Sequence, residues 1–342
     1  MGPSTAATAY IAATGTALPG DPVDNATLGK ALGVSEEWID LFVGTRSRHF
    51  GWDLATGEVR STLADLCAEA GAQAMDAAGL EPSDIGFVVL ATATPDALLP
   101  TTATVVADML GLDHLPVLQL QSGCSGAVQA LDVGRAMLTA GRGAGLLLGG
   151  DVTNRFIARR GNAARLPSEE LVNQVLFGDG AGAAVLAADP AAEGVAVRGV
   201  LNRCTGQGRA PGQFLDWYGV SDRHTERRLL AEDYKAIEEH VPVISGEILW
   251  ELLGSLGWSA SDVDYLLPPQ LSGRMTARIT ERLPAPAVGE VSCVTETGNT
   301  GNALPFLQLD LLLPRLEAGQ RALAVTVESS KWIRAGFALE KV

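Results

Sequence analysis

Short apolar runs with no polar alternation recur along this chain, and each is followed by a segment of helical periodicity. "IGFVVLATAT" (85–94), "GAGLLLGGD" (143–151), "VAVRGVL" (195–201) and "RALAVTVES" (321–329) are rich in β-branched residues or wholly apolar. Such runs suit strands buried on both faces, which requires helices above and below a mostly parallel sheet. Between them lie "SEEWIDLFVG", with Ser35 placed as N-cap ahead of two acidic residues, and "TLADLCAEAGAQAMDAAG", closed by Gly79. "TTATVVADMLG" and "SGAVQALDVGRAMLTAG" read as further helices, the second with Val128, Leu131, Met137 and Leu138 on one face. The same style repeats beyond residue 190, with "DYKAIEEHVPVISGEILWELLGSLG", "GRMTARITERL" and "NALPFLQLDLLLPRLEAG" as helices. The pattern predicts an α/β fold of two similar halves, 1–190 and 191–342, although no residue-level repeat is visible. No Pro-, Gly- or Ser-rich linker separates the halves, so they are expected to pack together.

Composition narrows the function. Across 342 residues the formal net charge is −15, which argues against nucleic acid or an anionic membrane as partner. Arginines nevertheless cluster at 155–165, 223–228 and 274–282. The segment 155–171, basic and then acidic, breaks the alternation and reads as a surface excursion or substrate-covering loop. No window reaches the ~18 apolar residues of a membrane span and no secretory leader is evident, so a cytoplasmic chain is expected. Four scattered cysteines without a C-x-x-C pair predict neither a disulfide framework nor a metal site.

One of those cysteines stands out. "VLQLQSGCSGAVQAL" (117–131) places Cys124 between a strand and the first turn of a helix, flanked by Gly123 and Gly126. Peptide N–H groups and the helix dipole favour a thiolate there, and are expected to bring the thiol below its usual ~8.5. The same N–H groups can polarise a thioester carbonyl, so an acyl group could pass from a carrier onto Cys124 and then to an acceptor. Cys67, Cys204 and Cys293 lack that context and read as structural. "FGDGAGAAVLA" (177–187) lacks the lysine and helix of a phosphate loop, and "ETGNTGNALP" (296–305) puts Asn299 in a tight turn before a helix.

Taken together, "GTALPGDPVDNATL", "SEEWIDLFVGTRSRHF", "SGCSGA", "FGDGAGAAVL", "PPQLSGRM" and "GNTGNALP" resemble, in order and spacing over nearly the whole chain, the ketoacyl synthase III family. The resemblance implies a thiolase fold, two βαβαβαββ halves in a layered α-β-α-β-α core. It further implies a homodimer and a nucleophilic Cys124 reached by a phosphopantetheine tunnel. Condensing members of the family add a histidine in a "PHQAN" loop and an asparagine 30 residues later. Here Pro269 takes the histidine position, while Gln270, Arg274 and Asn299 remain. Proline has no side-chain donor and no N–H. Losing one oxyanion donor costs ~3–4 kcal/mol, or 10²–10³ in rate. Where the family has a "GGG" loop, this chain has "ESSKWIRAG", so Ser330, Lys331 and Trp332 are expected to crowd the oxyanion region. The family's coenzyme A users place an arginine four residues after an adenine-stacking tryptophan. Here Phe42 follows Trp38, which favours an acyl carrier protein as thioester donor, docked near Arg274.

These departures point to an acyltransferase of specialised metabolism, loading Cys124 and passing the acyl group to a hydroxyl or amine of a sugar or aminocyclitol. A decarboxylative condensing enzyme with a relocated base, a thioesterase and a non-catalytic partner subunit are the alternatives. The base that would replace the histidine is sought among the side chains of Glu296, Glu328 and His240 and the acceptor's own amine.

Overall fold

The computed structural model describes residues 9–153, 166–189, 194–217, 230–283 and 289–342. Most of the 155–171 excursion and two of the three arginine clusters fall outside them. The first half runs β1 (Ala9–Ala17), β2 (Val23–Asp24), α1 (Asn25–Leu32), α2 (Glu36–Phe42), β3 (Ser47–Arg48) and α3 (Leu63–Ala78). It continues with β4 (Ile85–Thr92), α4 (Thr102–Met109), β5 (Val117–Gln121), α5 (Gly126–Thr139), β6 (Ala144–Asp151), α6 (Ser168–Leu176) and β7 (Gly180–Ala187). The second half opens with β8 (Val195–Cys204), β9 (Gln213–Leu215), β10 (Leu230–Glu232), α7 (Tyr234–Leu256), β11 (Tyr265–Leu267) and α8 (Gly273–Thr280). It closes with β12 (Gly289–Glu290), α9 (Val294–Thr297), α10 (Leu304–Leu312), β13 (Arg321–Glu328) and β14 (Ile333–Lys341).

Ten strands form one hydrogen-bonded sheet in the order β12-β11-β13-β14-β8-β1-β7-β6-β4-β5. The order is the same when read outward from its centre in either direction. From β1 it runs β7, β6, β4, β5; from β8 it runs β14, β13, β11, β12. Pairing senses match as well: β4–β5, β4–β6, β11–β12 and β11–β13 are parallel, whereas β6–β7 and β13–β14 are antiparallel. The two halves join where β1 pairs with β8, Tyr10 opposite Ala196.

Both halves set one sheet face against α5 and α10, in a core holding Val128, Leu131, Phe306, Leu309 and Phe337. Helix α10, "LPFLQLDLL", is apolar nearly all round because it lies between sheet layers. The outer faces are covered by α3 and α4 on the first half and by α7 and α8 on the second. This gives the five layers of the expected α/β thiolase fold. It also explains "LLL" in β6, which is apolar on both faces because both faces are covered. Among the described residues no helix is long and apolar enough to cross a membrane.

Candidate active site

Strand β5 ends at Gln121 and α5 begins at Gly126, and the four residues between them carry the nucleophile candidate. Ser122 N–H donates to the Thr92 carbonyl at 3.2 Å, and Gly126 N–H donates to the Gly123 carbonyl at 2.9 Å, closing the turn. A Cβ on Gly126 would stand 2.1 Å from Asn302 Oδ1, so only glycine lets α5 start this close to the second half. Cys124 is partly accessible at this turn, as expected.

Its environment differs from the expectation. Burial, then the carboxylates of Glu328, Asp151 and Glu232, push the Cys124 thiol up to about 12 rather than below its usual range. Backbone donation at Cys124 pulls the other way but is the smallest contribution. The helix N-terminus is outweighed by desolvation and by three anions.

Three cavities meet at Cys124. A cavity of about 240 Å³ extends past Thr94, Asp151, Phe214, Glu328 and Ser330. A second, of about 110 Å³, runs past Asn299, Glu232, Tyr234 and Met275 to Phe42 at its mouth. The third, about 20 Å³, is walled by Pro269, Gln270 and Gln308. No described residue lining these spaces is a lysine, arginine or histidine.

Asn299 is buried, with Oδ1 accepting from Gly301 N–H at 3.0 Å. It lines the second cavity together with Cys124. Pro269 reaches the sulfur only across the smallest cavity. Gln270 belongs to the scaffold: its Oε1 accepts from Ser292 Oγ (3.0 Å), Cys293 N–H (2.9 Å) and Val294 N–H (2.9 Å). Trp38, Phe42 and Arg274 do converge. The Trp38 and Phe42 rings lie 4.8 Å apart, and Arg274 donates its guanidinium to the Leu41 carbonyl and its N–H to the Val43 carbonyl. Phe42, 53% exposed, thus marks the entrance to the second cavity.

The turn joining β13 to β14 is less obstructive than expected. Ser330 faces the large cavity and donates to Glu328 Oε1. Lys331 turns away to the Arg209 carbonyl, and Trp332 is buried with its indole N–H on the Ala210 carbonyl. Trp332 adopts a left-handed backbone (φ 57°), which a side chain tolerates only where packing enforces it. Its ring meets the edge of His240, 5.2 Å away, so that imidazole belongs to the packing of α7. Glu296 pairs with Arg46 at the surface. Of the three base candidates, only Glu328 reaches the site. Cys67 and Cys293 are buried as expected, whereas Cys204 is exposed on β8.

Sequence reasoning did not single out Asp151, Asn302 or Glu232. Asp151 Oδ1 accepts from Thr92 Oγ1, Ala93 N–H and the N–H and Oγ1 of Thr94, while Oδ2 accepts N–H and Nδ2 of Asn302. Asn302 Nδ2 also donates to the Ser122 carbonyl at 2.9 Å. The available signal was a lone acid at the end of an apolar strand: "LLLGGD" for Asp151, and "AVTVE" for Glu328. Glu232 carries no such signal, because it sits among other charged residues in "ERRLLAEDYK".

A duplicated five-layer α/β fold, with a cysteine at the start of the central helix and cavities converging on it, defines a thiolase-type enzyme of acyl-group chemistry. Residues 52–190 match the family model for chalcone and stilbene synthases, N-terminal domain. The chain is 34% identical over 305 residues, 89% of each chain, to a beta-ketoacyl-[acyl-carrier-protein] synthase III of Rhizorhabdus wittichii. It therefore belongs to the ketoacyl synthase III family. Among solved structures it is similar to "AbyA1 - tetronic acid condensing enzyme", at 56% identity and TM-score 0.95, over 97% of this chain and 100% of that one. The priming beta-ketosynthase of the R1128 polyketide biosynthetic pathway matches at 25% identity and TM-score 0.80, over 97% and 96% of the two chains.

Proposed function

We propose that this enzyme takes an acyl group from an acyl carrier protein onto Cys124 and condenses it, without loss of carbon dioxide, with a second carrier-bound substrate in specialised metabolism. The observation that carries this reading is the charge around the sulfur. Glu328, Asp151 and Glu232 bear on it, and no described cation or imidazole does. Such a site repels the free carboxylate of a malonyl extender and offers it no donor pair for the enolate left by decarboxylation. It suits a neutral carbon acid, such as the α-carbon of a 3-oxoacyl thioester, whose proton a carboxylate can accept.

The 56% identical neighbour supports the same branch of chemistry. A tetronic acid is a five-membered lactone carrying an enolised 1,3-dicarbonyl. Building one takes a carbon–carbon bond to one acyl carbon and an ester bond from a hydroxyl to another. The α-carbon gives its proton to a base and attacks the acyl carbon on Cys124, and the departing sulfur takes a proton back. A hydroxyl of the transferred unit then attacks the remaining carrier thioester, closing the lactone and releasing the carrier thiol. Asn299 lines the cavity it shares with Cys124, where its amide would donate to the acyl oxygen. The transfer to a sugar or aminocyclitol expected from the sequence shares the loading step and differs only in the nucleophile. Phe42, exposed at the entrance where an adenine-gripping arginine would stand, favours a carrier protein over coenzyme A.

Loading is tested by intact mass after incubation with an acyl-carrier protein. Wild type is expected to gain the acyl mass and Cys124→Ala to gain none; equal labelling of the variant contradicts the reading.

A further inference from the structure

A thiol held at about 12 must lose its proton before it can attack a thioester, and no described cation is present to stabilise the thiolate. An acceptor facing the same space is required. Glu232, Tyr234 and Glu238 line the 110 Å³ cavity with Cys124, while Glu328 and Asp151 flank the sulfur from the other side.

Four of the five are committed elsewhere. Glu328 Oε2 accepts from Ser122 Oγ (3.0 Å), Ser125 Oγ (2.5 Å) and Ser125 N–H (3.4 Å), and Oε1 accepts from Ser330. Asp151 is filled by Thr92, Ala93, Thr94 and Asn302. Glu238 is exposed and faces Arg278 at 3.4 Å. The Tyr234 hydroxyl donates to Asn173 Oδ1, and its side-chain interaction with the Glu232 carboxyl works against the upward push of burial there.

Glu232 differs. Its Oε1 accepts from Gln213 Nε2, whereas Oε2 is buried without a hydrogen-bond partner among the described residues. Its backbone is fixed on both sides. Glu232 pairs with Gln213 across β9–β10, and the next residue, Asp233, caps α7 by accepting from Ala236 N–H at 3.0 Å. An unpaired carboxylate oxygen on a pinned backbone shares the cavity with Cys124 and Asn299, so a proton can reach it from the sulfur through one intervening water.

We propose that Glu232 is the catalytic base of this site, accepting the Cys124 proton as the acyl group loads. This rests on the reading that Cys124 is acylated. The sulfur attacks the carrier thioester carbonyl while its proton passes to Glu232 Oε2. The carbonyl–pantetheine C–S bond then breaks, and the departing pantetheine sulfur takes the proton from Glu232. One S–H and one C–S bond are exchanged for another of each, and nothing is oxidised. Burial raises the Glu232 carboxyl to about 7, so near neutral pH it can both accept and return a proton.

The test is single-turnover loading of full-length enzyme from an acyl-carrier protein, quenched and read by intact mass between pH 5.5 and 8.5. For wild type the rate is expected to rise with pH and level off with an apparent pKa near 7. Glu232→Gln is expected to load 10²–10⁴-fold more slowly and to lose that titration, while still ending at the same adduct. A Gln variant within threefold of wild type overturns the proposal. So does a wild-type rate that is flat, or that climbs without levelling; this arm needs no variant to fold. Labelling of Cys124→Ala would instead overturn the acyl-cysteine reading, so the two failures are distinguishable.

Discussion

Four donors from three serines end on one carboxylate behind Cys124, and that carboxylate is where the turn is held. Glu328 is 5% exposed, and Ser122, Ser125 and Ser330 all point at it. Glu328→Ala would leave those buried donors without an acceptor, a loss of ~2–4 kcal/mol expected in urea unfolding. Glu328→Gln, which keeps one acceptor oxygen, is expected to lose about half as much. Glu232 gives a prediction of the opposite sign. Burial raises its carboxyl from 4.5 to about 7, so its contribution to stability is full below pH 4.5 and is lost as pH rises through 7. Glu232→Gln removes that dependence and should exceed wild type by ~3 kcal/mol at pH 8, with under ~1 kcal/mol of gain at pH 5. Cys124 was legible as a candidate from its glycine-flanked place between strand and helix, whereas Asn299 read there as a turn residue and took a candidate role only from the family resemblance. Glu232 was not legible, because its significance comes from a cavity assembled by distant segments. The Cys124 pKa was misjudged for the same reason: the dipole is local, but the three acids that oppose it come from β6, β10 and β13.

Elements with a clear cap or apolar stripe followed the sequence pattern, the seven-residue α2 included. The Ser35 cap forms on Trp38 N–H at 3.2 Å, and Gly79 closes α3 with φ 66°. Some of the short elements did not show in the pattern. Helices α1, α6 and α9 and strands β9 and β10 are nine residues or fewer, and they are fixed by what they pack on rather than by periodicity. The β9–β10 pair matters most, since it supplies Gln213, Phe214 and Glu232 to the cavities. The start of α5 is a tight point between the two halves. Gly126→Ala would press a methyl within 2.1 Å of Asn302 Oδ1 and 2.9 Å of Ala91 Cβ. The expected result is a loss of ~1–3 kcal/mol in unfolding, together with slower Cys124 loading because the turn must shift.

Across the whole molecule, the duplication explains why the site lies where it does. Asp151 ends β6 and Glu328 ends β13, strands that occupy equivalent places in the two halves of the sheet. Each reaches across to the other half: Asp151 to Asn302, before α10, and Glu328 to Ser122 and Ser125, before α5. The halves are therefore clamped twice at the ends of the central helices, and the cysteine sits inside one clamp. In the sequence the duplication showed only as a repeated order of elements, because packing conserves the layers and not the side chains that fill them. The anionic character this gives the site is what the proposed choice of nucleophile rests on. The direct measurement supplies acylated enzyme with equal amounts of a malonyl-carrier and a 3-oxoacyl-carrier, following both carbon dioxide release and the mass of the product. A condensed product from the 3-oxoacyl partner, with no carbon dioxide above background, is the predicted result. Carbon dioxide released in step with a 3-oxo product from the malonyl partner would contradict it.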